Sequence, residues 1–289
     1  MTTSTKLVLA GVDGSEQSLA AASWAATEAA LSHARLHVLV VNDDPARDDY
    51  ASATARRGAQ HCNWRYPDLA VTHEVVRGHP AEVLVDRSRQ AQQLVVGSRG
   101  HGRFAATLLG SISAAVAYHA HCPVVVVRDH HGPGARAPVV VGVDDSLASR
   151  LALQFAFDAA TVRHTELIAV HAWREPAVDY PMLIPDAIAA PLTDLDRIEE
   201  VVRGNLAQHL DGWREKYPDV TVHPMARRGH PVRVLADTAT DADGQLLVVG
   251  HRGRGGFAGL RLGSVAAGVL HHVHGPVAVV RATDDHDRA

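Results

Sequence analysis

Aliphatic runs alternate with stretches of helical spacing along the chain, and the whole alternation occurs twice. In the first half, Leu7–Asp13 reads as a buried strand. Ser15 follows as a helix N-cap ahead of an Ala-rich helical stretch, Leu19–Leu31. Leu36–Val41 and Val71–Val76 predict a second and a third strand. Pro80 opens a helix reaching about Gln90, Leu94–Val96 is a fourth strand, Ser111–His119 a helix and Val124–Val127 a fifth strand. The second half predicts strands near Val139–Val143, Leu167–His171, Val220–Pro224, Leu246–Val249 and Val277–Val280. Strands that are apolar on both faces, separated by helices, specify an α/β fold with a parallel sheet covered on both sides. The pattern is least regular over Asp43–Tyr66 and Ala172–Leu192, where the halves differ in length.

The repetition is literal as well as rhythmic. VLAGVDGS at Val8–Ser15 returns as VVVGVDDS at Val139–Ser146, and Arg-Gly-His-Pro stands at both Arg77–Pro80 and Arg228–Pro231. Val95–Ser111 matches Val248–Ser264, and His119–Arg128 matches His272–Arg281. Blocks that recur in the same order mark a duplication. The expected organisation is a first domain over 1–130, a linker over 131–137 rich in Gly and Pro, a second domain over 138–282 and a polar tail over 283–289.

Composition narrows the class. Aromatic residues make up only 4% of the chain, so the cores are aliphatic. The net charge of −4 argues against nucleic-acid binding through a broad positive field. No apolar run reaches the length of a membrane span or a signal peptide. Cys62 and Cys122 lie in different elements with nothing to pair them, which predicts a reduced, cytoplasmic protein.

The chemistry gathers in glycines. Gly97 and Gly100 follow the fourth strand, and nine residues later Gly110-Ser111 opens a helix; Gly250, Gly253 and Gly263-Ser264 repeat the spacing unchanged. Glycine lets the main chain approach a ligand closely, and a helix N-terminus offers unpaired N–H groups to anionic oxygens. The arrangement reads as a phosphate cradle, with the Ser hydroxyls as further donors and Arg99 and Arg252 as cations in reach. Asp13 and Asp144 end the first strand of each half, where a carboxylate can accept from a base amino group or a ribose hydroxyl, or cap the next helix.

Gly-x-x-Gly, nine residues and Gly-Ser, with an upstream Val-Asp-Gly-Ser, resembles the ATP-binding branch of the universal stress protein family, here as two tandem copies. The resemblance implies two five-stranded domains of the adenine nucleotide alpha hydrolase type, each with strand order 3-2-1-4-5. It implies that Asp13 and Val41 contact adenosine while Gly97, Gly100, Gly110 and Ser111 hold the phosphates. The second set is Asp144, Ala172, Gly250, Gly253, Gly263 and Ser264. ATP, with Mg2+ on its phosphates, is the implied ligand. The implied role is regulatory, in stress response, with little or no hydrolysis. A homodimer through the aliphatic fifth-strand edges is the expected assembly, and those edges can equally pair the two halves of one chain.

Rival patterns are weaker. Gly100-x-Gly102-x-x-Ala105 and Gly253-x-Gly255-x-x-Ala258 fit a dinucleotide fingerprint but follow the fourth strand and have no acid where the ribose needs one. No Walker lysine exists, since Lys6 and Lys216 are far from any glycine loop. His73-Glu74 begins a zinc-protease pattern that Arg77 breaks. A nucleotide-free dimeric scaffold of the same fold is the remaining alternative.

Overall fold

The computed structural model describes residues 6–100, 109–128, 137–144, 146–174, 195–253 and 262–281. The first half runs β1 (Leu7–Gly11), α1 (Glu16–Leu31), β2 (Arg35–Asn42), α2 (Asp48–Arg65), β3 (Val71–Arg77), α3 (Pro80–Arg87), β4 (Gln93–Gly97), α4 (Ser111–His119) and β5 (Val124–Arg128). The second runs β6 (Val139–Gly142), α5 (Leu147–Arg163), β7 (Leu167–Trp173), α6 (Leu195–Lys216), β8 (Val222–Arg228), α7 (Pro231–Asp241), β9 (Leu246–Gly250), α8 (Ser264–His272) and β10 (Gly275–Val280). The linker predicted at 131–137 (Ala137 aside), the tail, and the Gly102–Ala105 and Gly255–Ala258 stretches of the dinucleotide pattern lie outside the described residues.

Each half has the order 3-2-1-4-5 with parallel pairing, and the halves fuse into one ten-stranded sheet. Side chains alternate across it as the pleat requires. Val8 and Ala10 join the core beneath α1, α2, α5 and α6, whereas Leu9 joins the core beneath α3, α4, α7 and α8. Ser15 and Ser146 cap α1 and α5, each accepting from the N–H three residues on, at 3.2 and 3.1 Å. Five fully buried alanines of α1 (Ala21, Ala22, Ala25, Ala26 and Ala29) leave its backbone close to the sheet.

The irregular Asp43–Tyr66 region contains α2. Its buried residues are Ala51, Thr54, Ala55, Gly58, Ala59 and Cys62, a helical stripe of small side chains. Gly58 fits where a Cβ would sit 3.1 Å from Val38 Cγ1. Strand β8 also departs from expectation, starting at Val222 and continuing to Arg228. It is an outer strand, where exposed arginines are acceptable and Pro224 costs no central ladder bond.

Antiparallel pairing of β5 with β10 joins the halves, with Val126 opposite Val277 and Arg128 opposite Gly275. These two edges therefore satisfy each other within the chain, and a homodimer would have to use another surface. Arginines reinforce the seam reciprocally. Arg128 donates to the carbonyl of His271 in the last turn of α8 at 2.8 Å, and Arg281 donates to that of Tyr118 in the last turn of α4. A third contact has no counterpart: Arg163 of α5 forms a buried ion pair with Glu28 of α1 and lies over the Trp24 ring, 5.7 Å from its centroid.

Both cysteines are free and buried. Burial pushes the Cys62 thiol up to about 11 and the Cys122 thiol up to about 12. Both should therefore resist a disulfide reagent at neutral pH in the folded protein and react only through unfolding. Fast native labelling would show that α2 opens locally around Cys62, or that the turn between α4 and β5 does around Cys122.

Candidate functional site

The site forms where β1 and β4 lie side by side and successive connections leave in opposite directions, the position at which open α/β sheets bind ligands. A cavity of about 600 Å³ opens there, and its lining includes every residue predicted for the first-half site: Asp13, Val41, Gly97, Arg99, Gly100, Gly110 and Ser111.

The turn between β1 and α1 sets the acid. Asp13 Oδ1 accepts from the Ser15 N–H at 2.9 Å and the Ser15 hydroxyl at 2.7 Å, while the Ser18 hydroxyl accepts from the Gly14 N–H at 3.1 Å. Gly14 has φ +95°, and a Cβ there would also meet the Tyr50 hydroxyl at 2.7 Å. One oxygen of Asp13 thus ties the turn, and the other lies where a Cβ on Gly100 would overlap it. The second half repeats the turn, with Ser146 N–H donating to Asp144 Oδ1 at 2.9 Å and a Cβ on Gly253 falling 2.6 Å from Asp144 Oδ2. There the Ser146 hydroxyl donates to the Arg252 carbonyl at 3.3 Å instead.

The loop after β4 is anchored at both ends. The Ser98 N–H donates to the Val127 carbonyl at 2.9 Å and the Gly110 N–H to the Ser98 carbonyl at 2.7 Å. His251 and Gly263 make the equivalent bonds at 2.8 and 2.7 Å. Gly110 and Gly263 are extended N-caps, and no side chain caps α4 or α8. The first-turn N–H groups of both helices are therefore left without a side-chain cap, and a helix N-terminus of this kind favours negative charge. Beside them, Arg99 Nε and Arg252 Nε are buried with no hydrogen-bond partner among the described residues. Such a donor incurs a desolvation cost that an anionic acceptor would offset.

The glycines divide by what they face. Gly97 and Gly250 abut the backbone of α1 and α5, where a Cβ would fall 2.9 Å from Gln17 C and 2.8 Å from Ala148 C. Gly110 and Gly263 have looser surroundings, the nearest atoms lying 3.3 Å away. The sequence reading missed Gln17, Leu39, Leu84 and Ile112 in the lining. Strand alternation placed Leu39 on the face of Val41, so it was within reach of the pattern, whereas Gln17 lies in the first turn of α1, ahead of the Leu19–Leu31 stretch that the spacing singled out.

No group of three or more His, Cys, Asp or Glu side chains suited to a metal occurs among the described residues. Glu74, the acid of the truncated zinc-protease pattern, is held by Arg87 at 2.9 and 3.1 Å, which keeps its carboxyl below the usual range. No described helix is long and apolar enough to cross a membrane.

Fold and site together define a doubly wound α/β protein with a candidate anion crevice at the switch point of the first half and the same loop and turn pattern in the second. The family model described as the universal stress protein family matches residues 5–128 and 136–281. The chain is 38% identical over 295 residues to a universal stress protein of Mycobacterium tuberculosis, covering 95% of this chain and 96% of the relative. It is similar at the same identity, over 294 residues, to one from Mycolicibacterium smegmatis, again covering 95% of this chain and 96% of the relative. A solved universal stress protein from Archaeoglobus fulgidus shares the fold, with a TM-score of 0.68 at 22% identity over 96% of this chain and 97% of that one. The chain belongs to the universal stress protein family, and this membership supports a stress-response role.

Proposed function

We propose that the chain is an ATP-binding regulatory protein with one nucleotide site in each half and little or no hydrolysis. The observation that carries the reading is the matched pair of buried, unpartnered arginine Nε donors, each beside a glycine-capped helix N-terminus and opposite an aspartate. In this reading the phosphates lie on Gly110-Ser111 and Gly263-Ser264. Arg99 and Arg252 supply positive charge, and Asp13 and Asp144 accept from the nucleoside. Mg2+ would come with the phosphates and neutralise part of their charge. Asp13 Oδ1 is occupied by Ser15, which leaves it poorly placed to activate water as a general base.

The test is to purify the protein without added nucleotide, denature it and identify what it releases by mass spectrometry, alongside thermal scans with ATP. ATP at 100 times its dissociation constant should stabilise each binding half by about 2.7 kcal/mol. Gly110→Val together with Gly263→Val should abolish that stabilisation. Full affinity in the double variant would overturn the cradle assignment. Turnover at tens per second, an ordinary enzyme rate, would overturn the non-catalytic role. A protein that is empty and unshifted by ATP would favour the scaffold.

A further inference from the structure

At the end of the sheet opposite the anion crevice, where α1 and α2 terminate and β2 begins, a second cavity of about 470 Å³ opens. Buried Ala29 and Ala34 line it with half-buried Tyr66 and Leu69, and exposed Arg35 and Arg65 stand at its rim beside one acid, Asp68. The Arg65 guanidinium lies 5.7 Å from the centroid of the Tyr66 ring. From there an exposed basic face runs up α2. Arg57, His61 and Arg65 follow one another at helical spacing, with Arg56 and Trp64 on the neighbouring ridge. His61 Nε2 lies 2.7 Å from Ser23 Oγ of α1, so the face continues along the groove between the two helices. Among the described residues, Arg35, Arg56, Arg57 and Arg65 have no ion pair. Trp64 is 84% exposed, whereas Trp24 and Trp173 are buried and Trp213 is stacked on Phe157 and Tyr217.

The fold does not require this surface, because the second half is built without it. Tyr66 and Tyr217 are equivalent. The carbonyl of each accepts from the N–H three residues on at 3.1 Å, and each hydroxyl donates to the matching residue of α1 or α5, Thr27 at 3.0 Å or Asp158 at 2.8 Å. Counted from that anchor, Arg56, Arg57, His61 and Trp64 correspond to Ala207, Gln208, Gly212 and Glu215 of α6. Strand pairing likewise sets Arg35 against Glu166. Arg65 keeps its charge as Lys216. Asn63 becomes Arg214, which is paired at 3.0 Å with Asp211, the equivalent of Gln60. The same helix pair thus folds with an acidic surface and no exposed tryptophan.

We propose that the first-half surface docks an acidic protein segment, with an apolar side chain of that segment entering the cavity. Arginine and tryptophan carry much of the binding energy at protein interfaces once a partner covers them. Guanidiniums without partners match carboxylates, and a concave apolar floor matches a side chain. A second copy of the same surface does not fit, since it would set like charges against each other. A flat anionic membrane would leave the cavity unfilled and press Asp68 against its own sign.

The full chain should be titrated with a short peptide of glutamates around one central leucine, read by Trp64 emission and its quenching by acrylamide. One peptide per chain should bind and shield Trp64. Raising the ionic strength from about 0.01 to 0.15 M should weaken binding, because the screening length falls from about 30 to 8 Å. The same peptide with lysine for every glutamate should not bind. Arg35→Glu together with Arg65→Glu should weaken the glutamate peptide about tenfold or more. Trp64→Glu, read by calorimetry, should also weaken it, and it supplies the residue with which the second half already folds. No binding of the glutamate peptide, equal binding of the lysine peptide, or full affinity in the Arg35 and Arg65 variant overturns the proposal. Binding of phosphatidylserine vesicles in place of the peptide overturns it in favour of a membrane surface.

Discussion

Glu28→Ala and Arg163→Ala are each expected to lower the stability of the chain by about 3–5 kcal/mol, the loss typical of an ion stranded in a protein interior. Their side chains are only 9% and 6% exposed, so water cannot take over from the missing partner. Arg163 would remain over Trp24 with one further bond, to the Ala159 carbonyl at 3.1 Å. Replacing both residues by methionine should cost far less than the two single losses combined, because neither charge is then buried alone. Denaturant midpoints of the two single variants and the double variant, taken as a cycle, give the coupling directly. Single losses below 1 kcal/mol would mean that the pair behaves as an exposed one and that solvent reaches the α1–α5 contact.

The second large effect is expected at Gly97 and Gly250. Alanine at either should destabilise the ligand-free protein by about 1–3 kcal/mol, as overpacking does. The new methyl meets backbone atoms of the first turn of α1 or α5, at 2.9 and 2.8 Å, and no rotamer change can relieve that contact. Because the two positions share no partner, the double variant should add the two costs to within about 0.5 kcal/mol. Gly110→Ala should behave in the opposite way. Its nearest neighbours, Ser98 O at 3.3 Å and Arg99 Cα at 3.5 Å, need to give by only a few tenths of an ångström, so the cost to the fold should be smaller than at Gly97 and the main loss should appear in ligand affinity. Unchanged stability in Gly97→Ala would show that the helix can withdraw and that the glycine serves the ligand.

What was legible in the sequence follows the same division. Apolar runs such as Leu94–Val96 and Val277–Val280 announced the strands, because a strand covered on both faces has no polar side to disguise it. The glycine floor of the first-half cavity was legible, since repetition of the spacing singled out Gly97, Gly100 and Gly110-Ser111, whereas Val41 came from the family resemblance and the other wall residues were missed. Helix α2 was not legible, because its buried face is Ala, Thr, Gly and Cys, and small side chains carry almost no hydropathy contrast. Nor could spacing tell that Gly97 faces a helix while Gly110 faces the mouth of the cleft. The Glu28–Arg163 pair was invisible for another reason. Its members lie in different halves, and pattern reading along one helix does not reach across a seam.

That pair also says what fusion makes possible. In a twofold dimer every contact is made twice, so an ion pair between positions 28 and 32 of facing α1 helices would have to recur on the other side of the axis. Here the positions equivalent to Glu28 and Arg163 are Ala159 and Ser32, and the ion pair is made once. The arginine clamps at Arg128 and Arg281 keep the ancestral reciprocity, while this contact has left it. A covalent pair is always delivered one to one, with no identical partner to compete for the seam. Either half can therefore mutate without imposing the same change on its twin.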